Sequence, residues 1–179
     1  TTQSITVTVT NVNDNSPVFT SSASFSAAEN QTGIGTATAT DADTNDTLTY
    51  TLTGTDASSL SINSSSGVIT FNSAPDYETK ATYSVTLNVS DGTNTTSQSI
   101  TVTLTNVNDN SPAFTSSASF SAAENQLSIG TVTASDADGG TVTFSVSGSE
   151  LVITEAGVLT FVVAPDYETK SSYTATVTA

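Results

Sequence analysis

Asn106-Val107-Asn108-Asp109-Asn110-Ser111-Pro112 divides the chain, because the same seven residues stand in the same order at Asn11-Val12-Asn13-Asp14-Asn15-Ser16-Pro17. Each copy sets oxygen-bearing side chains at consecutive positions and ends in a proline, whose fixed φ and missing N–H force an extended exit. Such a stretch suits a linker. Downstream of both copies the repetition continues: residues 16–31 recur as residues 111–126 with Val18 replaced by Ala113, at an offset of 95 residues. Further on, Ala74-Pro75-Asp76-Tyr77-Glu78-Thr79-Lys80 returns as Ala164-Pro165-Asp166-Tyr167-Glu168-Thr169-Lys170 at an offset of 90. A period of this length marks tandem domains, each large enough for its own core.

Between the linkers, apolar residues alternate with threonine and serine, the period-two signature of half-buried strands. Strands are predicted at residues 34–40, 47–53, 60–62, 68–71, 82–89 and 97–105. Leu48, Tyr50 and Leu52 would face inward on one, and Tyr83, Val85, Leu87 and Val89 on another. The second half repeats the plan with Val142, Phe144 and Val146, then Val158, Leu159 and Phe161, then Tyr173, Ala175 and Val177. No 3.6-residue apolar period persists, so essentially no helix is expected. Short strands separated by turn residues such as Asp91-Gly92 and Ser66-Gly67 point to an all-β fold: tandem Greek-key β-sandwiches of immunoglobulin-like architecture, end to end.

The expected division is residues 1–10 as the last strand of a preceding repeat, 11–15 as linker, 16–105 as repeat one, 106–110 as linker and 111–179 as repeat two without its last strand. Residues 1–10, with Ile5, Val7 and Val9, match residues 96–105, with Ile100, Val102 and Leu104. The offsets of 95 and 90 make a period of 185 residues, six more than the 179 present and the length of the loop at residues 90–95. The chain is therefore expected to be a window on a longer array. Residues 1–10 could then complete repeat two of a neighbouring copy by strand donation.

Seventeen acidic residues stand against two lysines, for a formal net charge of -15, with no His, Cys, Met or Trp. Nothing here neutralises phosphates, which argues against nucleic acid and disfavours an anionic membrane surface. Without Cys or His the chain has no disulfide and none of the soft ligands preferred by zinc, copper or iron. Any metal must be hard and oxygen-bound. No apolar run approaches the roughly 20 residues of a membrane span, and no membrane insertion is expected.

Thirteen of the seventeen acids sit in motifs, twelve of them in motifs that recur: Asp14 and Asp109; Glu29 and Glu124; Asp41, Asp43, Asp136 and Asp138; Asp76, Glu78, Asp166 and Glu168; the thirteenth is Asp91. Two carboxylates about 4 Å apart repel by roughly 1 kcal/mol in water and about 4 kcal/mol at an intermediate dielectric, so clustering several of them calls for a cation. Calcium takes six to eight oxygens at about 2.3–2.6 Å, which Asn, Asp and Glu supply, whereas magnesium prefers fewer protein ligands in a tighter octahedron. Ca2+ is the expected ion.

Ala-Glu-Asn, Asp-Ala-Asp, Asp-Tyr-Glu, Val-x-Asp-Gly and Asn-x-Asn-Asp-Asn-x-Pro, in that order over one repeat, resemble the cadherin repeat, and the resemblance covers the whole chain. The few lysines and near-identical repeats look most like the cadherin-like repeats of large bacterial surface adhesins. The resemblance implies calcium ions, commonly three, between successive domains. At the central junction Glu29, Asp76 and Glu78 would come from the base of repeat one. Asn108, Asp109 and Asn110 would come from the linker, and Asp136 and Asp138 from the top of repeat two. Asn13, Asp14, Asn15, Asp41, Asp43 and Asp91 would form half of an earlier junction, and Glu124, Asp166 and Glu168 half of a later one. Repeat two reads Asp138-Gly139-Gly140-Thr141 where repeat one reads Asp43-Thr44-Asn45-Asp46-Thr47, so the backbone ligand near Asn45 lacks a counterpart there.

The function so implied is non-enzymatic: an extracellular, calcium-rigidified stalk or fibre segment of an adhesin, whose partners are neighbouring repeats or copies of the chain. A direct binder of a surface glycan or receptor, or a homophilic adhesion module, is the alternative. No His, Cys or Gly-framed Ser offers a nucleophile for an enzyme.

Overall fold

The computed structural model describes residues 1–44 and 46–179, so Asn45 and the backbone ligand expected near it lie outside the described residues. The chain forms two units, Thr1–Val107 and Asn108–Ala179, which part inside the repeated linker.

In the first unit, alternating Thr and aliphatic residues give strands with one wet and one dry face. Its strands are β1 (Val18–Phe19), β2 (Ser24–Ala28), β3 (Gly33–Thr36), β4 (Ala39–Thr40), β5 (Thr49–Thr53), β6 (Leu60–Ile62), β7 (Val68–Phe71), β8 (Thr82–Ser90) and β9 (Thr95–Thr105). A turn of 3-10 helix at Ala57–Ser59 leads into β6. One sheet has the order β2-β9-β8-β5 and the other β3-β7-β6, while β1 and β4 pair in a short ladder. In the larger sheet β9 is the spine. It runs antiparallel to β8, setting Tyr83 opposite Val102 and Val85 opposite Ile100, and parallel to β2, setting Phe25 beside Val102 and Ala27 beside Leu104. The crossing from β2 to its parallel neighbour β9 is what makes the sandwich a Greek key and not a meander.

The core lies between the sheets and is built from Tyr50, Leu60, Ile69, Phe71, Tyr83, Val85, Leu87, Val89, Ile100, Val102 and Leu104. Each fully buried aliphatic side chain contributes roughly 1.5–3 kcal/mol relative to exposure. The inward residues expected on β5 and β8 are those found, with Leu48 and Leu52 half-buried at the margin. The expected strand at residues 34–40 is divided into β3 and β4. Ala37 N–H there donates to Gly67 O at 2.8 Å, and a Cβ on Gly67 would stand 2.2 Å from Ala37 O. Gly67, at φ +71°, lets these two backbones meet.

The second unit repeats the plan with shorter ladders: β10 (Ala113–Phe114), β11 (Ser128–Thr131), β12 (Ala134–Ser135), β13 (Ser145–Val146), β14 (Leu151–Ile153), β15 (Val158–Phe161) and β16 (Val177–Thr178). The β11-β15-β14 sheet reproduces β3-β7-β6, including a glycine, Gly157, against Val132 O. Its other sheet is reduced to β13 paired with β16. Residues 119–123, the counterpart of β2, and 172–176, the start of the counterpart of β8, form no ladder among the described residues. Nothing equivalent to β9 lies between them among the described residues, and the backbone bond there runs to the other side, from Ser147 N–H to Thr176 O at 2.8 Å. The expected long strand through Tyr173, Ala175 and Val177 is therefore shortened to β16. Residues 1–10, expected as a strand, are exposed and carry no ladder among the described residues, again for want of neighbouring strands. No α-helix forms among the described residues, and no helix is long and apolar enough to cross a membrane.

Candidate metal centres

At the top of the first unit the Asp-Ala-Asp loop captures the linker. Asp14 N–H and Asn15 N–H donate to Asp43 Oδ2 at 3.0 and 2.7 Å, and Asn15 Nδ2 donates to Asp43 Oδ1 at 3.1 Å. The Asn15 N–H holds the Asp43 carboxyl below its ordinary range against the opposing effect of burial. Asp43 N–H in turn donates to Asp41 Oδ1 at 3.0 Å, fixing the loop as an Asx turn. This leaves Asp41 Oδ2 and Asp46 Oδ2 buried and without a hydrogen-bond partner among the described residues. Burial pushes the Asp46 carboxyl up, and the charges of Asp43, Asp41 and Asp91 push it the same way.

Oxygens of Asp41, Asp43 and Asp46 lie within 4.8 Å of one another. Two ligands on one calcium, each at about 2.3–2.6 Å, are separated by no more than about 5 Å, so this spacing fits a shared ion. Asp91 closes the group from the β8–β9 turn. Burial raises its carboxyl, but the N–H groups of Asn94 and Thr93 outweigh that and hold it low. Asn94 Nδ2 also donates to Asn15 O at 2.7 Å and Asn13 Oδ1 at 3.3 Å, tying the linker to that turn.

The second unit builds the same loop. Asp138 Oδ2 accepts from Asp109 N–H at 3.0 Å and Asn110 N–H at 2.8 Å, and Asp138 Oδ1 accepts from Asn110 Nδ2 at 2.9 Å. Asp138 N–H donates to Asp136 Oδ1 at 2.9 Å. Asn108, the first residue of this unit, is exposed.

At the base of the first unit, Asn30 takes the left-handed conformation (φ 61°) that Asn tolerates best among non-glycine residues, and its N–H donates to Pro75 O at 2.9 Å. That turn drives Glu29 inward, where only 2% of its surface remains exposed. Its two carboxylate oxygens accept the N–H groups of Tyr77 and Val107, both at 2.7 Å. Glu29, Asp76 and Glu78 bring one oxygen each within 4.8 Å of the others. The Thr79 hydroxyl, 2.9 Å from Asp76 Oδ2, is the main reason the Asp76 carboxyl sits low. Glu124, Asp166 and Glu168 make the corresponding group in the second unit, all three exposed. There Glu124 accepts Tyr167 N–H at 3.2 Å, and the Thr169 hydroxyl keeps Asp166 low.

Each expected acid thus joins a group built from two or more loops of its own unit. Asp46 and Asn94 are not among the ligands that the sequence motifs mark. Asp46 belongs to no recurring motif, since repeat two carries Thr141 there, and Asn94 is neutral and falls in a loop present once. Only oxygen donors occur in these groups, which suits a hard divalent cation. The buried oxygens of Asp41 and Asp46, unpartnered among the described residues, are the positions where a cation would relieve the most repulsion.

Residues 22–107 match the cadherin domain. No curated protein matches the sequence. Among solved structures, a mouse cadherin-23 fragment (EC22-24) is 26% identical, with a TM-score of 0.76 over 89% of this chain and 57% of its own. A human protocadherin-24 fragment (EC1-2) is also 26% identical, with a TM-score of 0.72 over 90% of this chain and 82% of its own. The chain therefore spans little more than half of the mouse fragment. Residues 22–107 carry the sequence pattern of a cadherin domain, and the structural neighbours of the chain are cadherins.

Proposed function

We propose that this chain is a calcium-binding segment of an extracellular adhesion protein, in which ions at the repeated linkers stiffen a row of sandwich domains into a stalk or fibre. The observation that carries this reading is the pair of buried carboxylate oxygens on Asp41 and Asp46, unpartnered among the described residues, within a group already crowded by Asp43 and Asp91. The cadherin likeness supports calcium as the ion and the cell surface as the setting. The likeness to large bacterial adhesins rests on the sequence features alone, the near-identical repeats and the scarcity of lysine.

The linker chemistry supports the stiffening role. Val107 N–H is held by Glu29 within the first unit, while Asp109 and Asn110 N–H are held by Asp138 within the second. Few residues of linker remain outside these grips, so neutralising the acids that hold them would restrain the junction. Affinity is expected in the range of extracellular modules, about 10^-4 to 10^-3 M. Small-angle scattering in chelator and in millimolar calcium tests the proposal. A longer, narrower distance distribution with calcium is expected, and identical curves in both buffers would sink it.

A further inference from the structure

We propose that Asn63 is an acceptor for an N-linked oligosaccharide, and that the fold closes the competing positions. The proposal rests on the extracellular setting given above, because chains modified in this way are exported ones. The acceptor triplet, Asn-x-Ser or Asn-x-Thr with x other than proline, begins at Asn30, Asn45, Asn63, Asn88 and Asn94, all within residues 30–96. In a chain so rich in serine and threonine the triplet alone decides nothing. Asn45 lies outside the described residues, and the structure separates the other four.

Asn63 opens the turn between β6 and β7, where residues 63–66 are all exposed. Its Oδ1 accepts Ser65 N–H at 3.1 Å and Ser66 N–H at 2.9 Å, an Asx turn that folds the carboxamide toward the residue whose hydroxyl completes the triplet. Asn63 Nδ2, the atom to be modified, donates to no protein atom among the described residues. The turn itself is anchored through its backbone: Asn63 N–H donates to Val68 O at 2.8 Å, Gly67 N–H to Asn63 O at 2.9 Å and Tyr50 N–H to Ser64 O at 2.9 Å. A sugar on Nδ2 therefore displaces none of these bonds. Residues 57–75 carry no charged side chain, so the segment around Asn63 does not repel an anionic donor. Nor is the exposure owed to what precedes the unit. The corresponding turn of the second unit, Thr154-Glu155-Ala156-Gly157, follows a whole unit in the chain, and Thr154, Glu155 and Ala156 are exposed as well.

The other triplets are engaged. Asn88 lies inside β8, where its Nδ2 donates to Thr53 Oγ1 at 3.1 Å and its Oδ1 accepts the Ser97 hydroxyl at 2.7 Å. Val89, the middle residue of that triplet, is fully buried, and the Ser90 hydroxyl donates to Asn94 O at 2.8 Å. Asn94 Nδ2 is shared among Asn15 O, Asn13 Oδ1 and Asp91 Oδ2, while the Thr96 hydroxyl donates to Pro17 O at 2.6 Å. Modifying either asparagine means giving up these bonds. Asn30 is held left-handed at φ 61°, with its N–H on Pro75 O, in the turn that carries Glu29 toward Asp76 and Glu78. Those carboxylates repel an anionic donor.

The co-substrate is an oligosaccharide carried on a polyprenyl diphosphate and presented by a transferase. Asn63 Nδ2 attacks the anomeric carbon, so that an N–C bond forms while the C–O bond to the diphosphate breaks. Nδ2 gives up one proton and the polyprenyl diphosphate leaves with the bonding pair, with no change of oxidation state.

The test incubates the folded chain with such a donor and a single-subunit oligosaccharyltransferase that accepts any Asn-x-Ser or Asn-x-Thr. Enzymatic release of the glycan in heavy-oxygen water then leaves a labelled aspartate at each modified position, read by mass spectrometry. The folded chain should be modified at Asn63 and not at Asn30, Asn88 or Asn94, whereas the unfolded chain should be modified at those positions too. Asn63→Gln and Ser65→Ala should each remove the Asn63 product, and Ser65→Thr should retain it. Modification of the folded chain at Asn30, Asn88 or Asn94 as fast as at Asn63 overturns the proposal. So does an unmodified Asn63 in the folded chain under conditions in which a peptide of residues 61–67 is accepted. Scattering with and without calcium does not read this reaction, so either proposal can fail while the other stands.

Discussion

The tripeptide Ala-Glu-Asn occurs once in each unit, with the same left-handed Asn and the same N–H to proline carbonyl bond, yet Glu29 is buried and Glu124 is exposed. Local sequence sets the turn identically in both. What differs is β9, which covers Glu29, delivers Val107 N–H to it and closes the core above it. The comparison separates two things that one domain alone would confound: the turn is local, but burial is a property of the completed sheet. The core follows the same division. In the first unit it extends over both sheets, while in the second the buried aliphatic and aromatic residues are Val132, Leu159 and Phe161, all next to the sheet that is intact.

The largest effect expected from this contrast comes from the same residue in its two settings. Ile100→Ala removes a side chain of β9 that is 2% exposed in the core and should destabilise the first unit by about 2–5 kcal/mol. Ile5→Ala changes a side chain that is 78% exposed and should move unfolding by no more than about 0.5 kcal/mol. Denaturant melts followed separately for each unit make the measurement. Equal losses would mean that residues 1–10 are packed in the monomer, contrary to their exposure.

A smaller but more pointed effect concerns the two glutamates. Glu29→Gln keeps one acceptor but turns an amide NH2 toward Tyr77 or Val107 N–H, at a position only 2% exposed. A loss of about 1.5–3 kcal/mol is expected, the worth of a hydrogen bond to a charged group. Glu124→Gln in the exposed copy should cost no more than about 0.5 kcal/mol. Both are to be measured in chelator, so that metal affinity does not enter.

These contrasts also explain what the chain disclosed before its fold was known. Strands β5, β8 and β9 were legible because Thr and Val alternate with no helical period, and the buried faces of β5 and β8 followed from it. The acidic groups were legible because their members recur in register across distant loops. The division between β3 and β4 was not, since it depends on Gly67 reaching Ala37 from a different strand. Nor was the shortening of the Tyr173 to Val177 strand, because its alternation is as regular as that of β8 and only the neighbour differs. Asp46 escaped for a related reason: it is a single acid in one loop, and what marks it is burial against Asp41 and Asp43. Pattern encodes the face a residue presents, whereas partners decide whether that face is covered.

The smallest expected effect tests that statement on the two lysines. Lys80 pairs with Asp56 and lies over the Tyr83 ring at 4.8 Å, while Lys170 pairs with Glu150 and lies over Tyr173 at 4.5 Å. The pairs look alike, but the Asp56 side chain is 13% exposed and Glu150 is 51% exposed. Asp56 also accepts Ser84 N–H at 2.8 Å from the edge of β8. The Lys80 ammonium, then that N–H, hold the Asp56 carboxyl below its ordinary range. A lowered carboxylate favours the folded state at every pH above the ordinary Asp value, and that contribution is lost as pH falls through the lowered one. Asp56→Asn should therefore cost the first unit up to about 1 kcal/mol at neutral pH, and should cost progressively less as the medium becomes acid enough to protonate the native carboxylate. Glu150→Gln should leave the second unit within about 0.5 kcal/mol at neutral pH, because an ion pair open to water on both sides is screened. Parallel unfolding titrations of the two variants from neutral to acid pH measure this. Matching acid limbs for both would show that coverage by the sheet makes no difference to a lysine pair.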